Sequence, residues 1–191
     1  MMRAAWIPNL ITMARIGCAL PLAWAIVTDR TGLALGLALA AGVSDVLDGW
    51  LAKHYGWQSR LGSLLDPVAD KLLLIAAFVA LVMAGALPLW LVGLVLLRDV
   101  IIVGGAVAWD RWIEPLRGEP TLLSKLTTLS QVVLIVVILI SAHGLILPSP
   151  NFVGFAIALV AALTVISGLH YVVIWARRAR RKRNAQEPYS P

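Results

Sequence analysis

Asp45, Asp48, Asp66 and Asp70 fall within 26 residues of a chain that is only 14% charged. The local sequence reads Asp45-Val-Leu-Asp48-Gly49-Trp-Leu-Ala52-Lys53, then eight residues, then Gly62-Ser-Leu-Leu-Asp66-Pro-Val-Ala-Asp70-Lys71. On a helix, positions i and i+3 or i+4 share a face, so each Asp pair would present both carboxylates to one side. A short connection makes the two helices antiparallel neighbours. The four carboxylates could then converge in one shallow pocket. Left alone they would repel strongly in a low dielectric, so positive charge must sit among them. Lys53 and Lys71 could contribute, but four carboxylates also form the ligand set of a hard divalent cation such as Mg²⁺ or Mn²⁺. Two ions suit this much negative charge better than one. A two-metal carboxylate site suits phosphoryl or phosphodiester chemistry. Gly49 and Gly62 could let a ligand approach the backbone, or could serve close helix packing.

The elements that must carry these residues are membrane helices. The 191 residues are 60% hydrophobic, with a mean hydropathy of +0.88. A soluble domain is about 45–50% apolar and about 25% charged. Six stretches approach the ~20 apolar residues that cross a bilayer: 8–28, 32–53, 62–84, 88–109, 122–142 and 152–176. Turn-forming residues separate them: 28–32, 85–88, 114–120 and 148–151. The segments are too long and too uniformly apolar for strands, and no alternating ten-residue pattern suggests a barrel. The expected fold is all-α: a membrane bundle of six transmembrane helices with a short interfacial segment at residues 1–7. Residues 1–176 form one membrane domain, and 177–191 form a basic tail expected to be disordered. The N-terminus does not read as a cleaved signal peptide.

Charge placement orients the bundle. Residues 177–191 hold six Lys/Arg and one Glu, while the remainder has a net charge of only +1. Arg3, Lys53, Arg60, Arg111, Arg117 and the tail fall on one side, and Arg30 alone on the other. This asymmetry places both termini and the acidic site in the cytoplasm. The tail reads as a topology determinant in contact with anionic headgroups rather than a nucleic-acid site. Trp6, Trp50, Trp57, Trp109, Trp112 and Trp175 read as interfacial anchors. Cys18, the lone cysteine, reads as a small core residue. Ionised side chains at bilayer depth are costly and are functional candidates by default. Arg15, near Thr12 in the first span, therefore needs a buried partner, expected among the motif carboxylates. His54 reads as interfacial and His143 as solvated. His170 could face the pocket or be structural.

The motif resembles the CDP-alcohol phosphotransferase signature, D-x2-D-G-x2-A-R-x8-G-x3-D-x3-D. Every fixed position matches except Lys53, which stands where the pattern has Arg. Lys keeps the charge and loses the planar bidentate fork. The six-span organisation and the Ile7-Pro8-Asn9 segment with Thr12 and Arg15 also look like the family. The resemblance implies that Asp45, Asp48 and Asp66 ligate two divalent metals, with Asp70 at the second metal and as general base. It implies that Gly49, Ala52, Lys53 and Gly62 line a cytidine nucleotide site. The donor would be CDP-diacylglycerol, the product CMP, the setting phospholipid biosynthesis, and the location a bacterial inner membrane. Family members are often homodimers.

Asp66-Pro-Val-Ala-Asp70-Lys71 looks like the branch using glycerol-containing acceptors, which includes phosphatidylglycerophosphate synthase and CMP-forming cardiolipin synthase. The former usually read Arg-Glu where this chain has Arg98-Asp99, with a second Arg where this chain has Ala106. The runs from Arg98 and from Glu119 through Lys125 look more like the cardiolipin synthases, so phosphatidylglycerol is favoured over glycerol 3-phosphate as acceptor. Arg98 and Lys125 would then face the acceptor phosphodiester. The alternatives are a salt bridge for Arg98, with Asp99 or a motif Asp, and a snorkelling interfacial Lys125. A divalent-cation transporter is the competing class; it would spread acids through the membrane depth, and here they cluster at one face.

Overall fold

The computed structural model describes residues 6–54, 60–112, 121–146 and 148–186. Among the described residues six helices form where six were expected: α1 (Trp6–Val27), α2 (Thr31–His54), α3 (Arg60–Met83), α4 (Leu89–Trp112), α5 (Leu122–Ala142) and α6 (Pro150–Gln186). No strand occurs among the described residues. Among the described residues, four helices, α1, α4, α5 and α6, are long and apolar enough to cross a membrane. The other two carry the motif aspartates. In α2 the apolar stretch among the described residues is Thr31–Asp45.

The helix ends follow from local chemistry. Three C-termini close with the same pair of backbone bonds, which requires a left-handed residue just past the helix. After α1 that residue is Asp29 (φ 55°), with Arg30 N–H donating to Ala25 and Asp29 N–H to Ile26. After α3 it is Gly85, and after α5 it is Gly144. Asp is one of the few side chains that tolerate this conformation. At the other end, Thr121 caps α5 by accepting the Ser124 N–H on its Oγ1 at 3.2 Å. Ser149 caps α6 in the same way, and Pro150 occupies the first helical position, where a missing N–H costs nothing.

Residues 177–186 of the basic tail continue α6 as further turns. Arg, Lys and Ala are good helix formers, and a helix already nucleated by its apolar span propagates through them at little cost.

The chain divides into two compact units. The first is Met1–Val92 with Val132–Val153; the second is Gly93–Gln131 with Gly154–Pro191. In the first, α1 packs against α2 and α3. Its buried stripe is Thr12, Arg15, Ala19, Leu22 and Ile26, spaced three or four apart. Ala34 and Ala41 on α2, with Ala69, Ala77, Phe78 and Leu81 on α3, are also buried. Small residues of this kind let membrane helices approach closely. In the second unit the buried set is notably polar: Arg98, Asp99, Thr127, Gln131, Thr164 and Ser167. Meanwhile Leu20, Leu89, Leu122, Phe155 and Leu169 are exposed. Polar groups inside and large apolar groups outside suit a lipid solvent, where the interior is held by hydrogen bonds and packing.

Candidate active site

The first cluster starts from one buried cation. Arg15, 2% exposed, lies on the inner stripe of α1. Its Nη1 donates to Asp45 Oδ1 of α2 at 2.8 Å and also to Asp70 Oδ1 of α3. Both carboxylates remain about half exposed, while the arginine side chain is almost fully covered. The expected buried partner of Arg15 is therefore two motif carboxylates from two different helices. The guanidinium meets the requirement that positive charge sit among the acids. Thr12, one turn earlier on the same stripe, is fully buried.

Asp48 lies on α2 three residues after Asp45, and Asp66 lies on α3 four residues before Asp70. Gly49, Ala52 and Lys53 lie on α2 and Gly62 on α3, but the side chains of Asp48, Asp66 and Lys53 and the surroundings of the other three are outside what is described. Of the acidic set, the structure thus brings together Asp45 and Asp70. The oxygens of Asp45 and Asp70 are hard donors on half-exposed side chains, the donor type a hard divalent ion takes. Lys71 is half-buried and His54 is exposed.

The second cluster, in the other unit, is built around Arg98 of α4, 5% exposed. Its Nη1 donates to Asp99 Oδ1 at 2.8 Å. Its Nη2 donates to Ser124 Oγ of α5 at 2.6 Å and to Ser167 Oγ of α6 at 2.9 Å. Its Nε also reaches Ser167, at 3.3 Å. Its aliphatic stem passes Gly168, where an added Cβ would lie 3.6 Å from Arg98 Cγ. Of the two salt bridges considered for Arg98, the one with Asp99 forms. Lys125, next to Ser124, is exposed. The hydroxyl of Tyr171 accepts the Thr121 N–H at 3.2 Å, joining α6 to the start of α5.

Sequence reasoning missed Ser167, Tyr171 and the Gln131–Thr164 pair, in which Gln131 Nε2 donates to Thr164 Oγ1 at 3.3 Å. The available signal was their spacing: Thr164, Ser167 and Tyr171 line one face of a helix otherwise dominated by apolar residues. Two other readings change. Trp109 is not a lipid anchor; it is buried against Trp175, ring centroids 5.5 Å apart. Gly105 leaves the space for the Trp175 indole, since a Cβ there would sit 2.8 Å from its Nε1. His170 is exposed, which removes a buried structural role. His143 is exposed as expected, with its Nδ1 3.2 Å from Thr31 Oγ1.

The comparison with known proteins decides the family. The family model for CDP-alcohol phosphatidyltransferase matches residues 5–175. The chain belongs to the CDP-alcohol phosphatidyltransferase family. With its four long apolar helices, it is an integral membrane protein. Among its relatives is a rice protein, the chloroplastic CDP-diacylglycerol--glycerol-3-phosphate 3-phosphatidyltransferase 1. It is 33% identical over 182 residues, covering 86% of this chain and 55% of that protein. The human cardiolipin synthase (CMP-forming) is 35% identical over 146 residues, covering 68% of this chain and 48% of its own. The Streptomyces coelicolor cardiolipin synthase (CMP-forming) is 37% identical over 107 residues, covering 53% and 50%. The chain spans about half the length of the curated relatives it matches.

Proposed function

We propose that this chain is a phosphatidyltransferase of anionic phospholipid synthesis. It moves the phosphatidyl group of CDP-diacylglycerol to a glycerol-containing acceptor and releases CMP. The favoured acceptor is phosphatidylglycerol, as in the cardiolipin synthases. The observation that carries the reading is the joint anchoring of Asp45 and Asp70, from separate helices of the signature motif, on buried Arg15.

The chemistry follows from the residues. An acceptor hydroxyl gives its proton to a carboxylate oxygen of Asp70. The hydroxyl oxygen bonds to the phosphatidyl phosphorus, and the bond from that phosphorus to the oxygen of CMP breaks. Arg15 holds Asp70 in place, so the base does not have to be oriented at the moment of reaction. Lys53 would hold the departing CMP. Asp45, Asp48, Asp66 and Asp70 would hold two Mg²⁺ or Mn²⁺ ions, which when bound neutralise the negative charge of the diphosphate. Arg98 and Lys125 would bind the acceptor's phosphate. The Lys/Arg distribution supports a cytoplasmic site; the membrane would be a bacterial inner membrane.

Glycerol 3-phosphate is the second reading, favoured by the extent of the rice relative's match, 86% of this chain. The test is CMP release by the full chain in detergent or vesicles, supplied with CDP-diacylglycerol, Mg²⁺ or Mn²⁺, and each acceptor in turn. Phosphatidylglycerol should give cardiolipin. No CMP from a folded preparation with either acceptor would overturn both readings.

A further inference from the structure

α6 is longer than a membrane requires. Its 37 residues span about 55 Å at helical rise, against about 40–45 Å for a bilayer with its headgroups. The stretch able to cross, Pro150–Arg178, has 29 residues and already covers about 43 Å. Trp175 fixes the last membrane turn, packing on buried Trp109 of α4 in the space that Gly105 leaves. Arg178 lies over the Trp175 ring, 5.6 Å from its centroid, and both Arg177 and Arg178 are exposed. The helix then continues to Gln186. Residues 177–186 hold six Lys/Arg and no acid, and four of the six, Arg180-Arg181-Lys182-Arg183, are consecutive. Four consecutive positions go once round a helix, so this end carries no apolar face with which to lie in the bilayer.

These charges lie close to the membrane surface. With Arg178 at the headgroups of a bilayer crossed near its normal, positions 180–183 lie about 3–8 Å beyond it. That is within the Debye length of about 8 Å at physiological ionic strength. Clusters of Lys/Arg just past a span attract anionic lipid, and salt weakens the attraction. We propose that the basic end of α6 is an anionic-phospholipid-binding element that gathers the acceptor around the enzyme. The lipid binding stands on helix length and charge alone, while the gathering of acceptor rests on the proposed use of phosphatidylglycerol. Each phosphatidylglycerol carries one negative charge, so six cations enrich it over zwitterionic lipid. The site is then served at a surface concentration above that of the surrounding membrane. The extension touches no reacting atom, so it acts on KM and not on kcat.

The experiment places trace spin-labelled phosphatidylglycerol or spin-labelled phosphatidylcholine around the full chain in phosphatidylcholine vesicles. Electron paramagnetic resonance reads the fraction of each lipid that the protein immobilises. It is measured at about 0.1 M and about 1 M salt, where the Debye length falls from about 10 Å to about 3 Å. The wild type should immobilise more phosphatidylglycerol than phosphatidylcholine at low salt, and the preference should vanish at high salt. Arg180→Gln, Arg181→Gln, Lys182→Gln and Arg183→Gln together keep good helix formers and remove four charges. That variant should lose most of the preference. In CMP-release assays with phosphatidylglycerol diluted into phosphatidylcholine, its KM should rise about three- to tenfold with kcat unchanged. A wild type without the preference overturns the inference and leaves a soluble polyanion as the partner. A preference that survives in the variant or at high salt overturns it too, and the salt comparison on the wild type suffices if the variant is not recovered folded. Lost preference with an unchanged KM overturns the gathering of acceptor. A protein that shows the preference but releases no CMP with either acceptor defeats the proposed function and not the lipid binding.

Discussion

Arg15 on α1 donates through Nη1 to Asp70 on α3, 55 positions later in the chain. The same nitrogen holds Asp45 on α2 at 2.8 Å. A single buried guanidinium therefore ties the first three helices together at the carboxylates of the signature motif. Its removal leaves two acids that repel each other.

Arg15→Ala should lower both stability and turnover. Charge-assisted hydrogen bonds contribute about 1.5–3 kcal/mol each when well buried. The two acids are about half exposed, so solvent screening puts the loss toward the low end of that range. Thermal unfolding in detergent gives the stability change, and CMP release gives the turnover. Arg15→Lys should keep the fold better than Arg15→Ala and still lose turnover, because an ammonium lacks the rigid fork that fixes two carboxylates at once.

Asp70→Asn should separate binding from chemistry. Loss of a general base typically costs about 10²–10⁴-fold in rate. CDP-diacylglycerol binding, measured by equilibrium titration, should fall far less than CMP release. Equal losses would count against the base role.

Chelation with EDTA should abolish CMP release, and added Mg²⁺ or Mn²⁺ should restore it. Persistent activity after thorough chelation would remove the divalent-ion expectation for the four aspartates.

Gly105→Val should destabilise the second unit without touching either cluster. An added Cβ meets the Trp175 indole at 2.8 Å, so the ring must shift. Overpacking of this kind costs about 1–3 kcal/mol. Tryptophan fluorescence should report the displaced Trp109–Trp175 pair, and the melting temperature should fall. An unchanged spectrum and melting temperature would mean that the ring has room to move.

Much of this protein is legible in one dimension because a bilayer imposes simple rules. Length and continuous apolarity set the six helices, and Gly85, Gly144 and Pro150 set where three of the turns fall. The motif spacing identified the acids, since charge in an apolar chain is costly and conspicuous. The need of Arg15 for an acidic partner was also legible from its depth. What the sequence could not supply is pairing between helices. Nothing in the local pattern says that Arg15 takes both Asp45 and Asp70, or that Arg98 is clamped by Ser124 and Ser167. Ser and Thr are common on membrane helices, so Ser167 carries no signal until α4 and α6 are seen in contact. Trp109 illustrates the same limit, because an interfacial position in sequence does not reveal that Gly105 opens a slot for a second indole. Composition and spacing determined the solvent, the helices and the chemistry available. Only tertiary packing decided which charges meet, because that depends on the azimuth at which each helix presents its side chains to its neighbours.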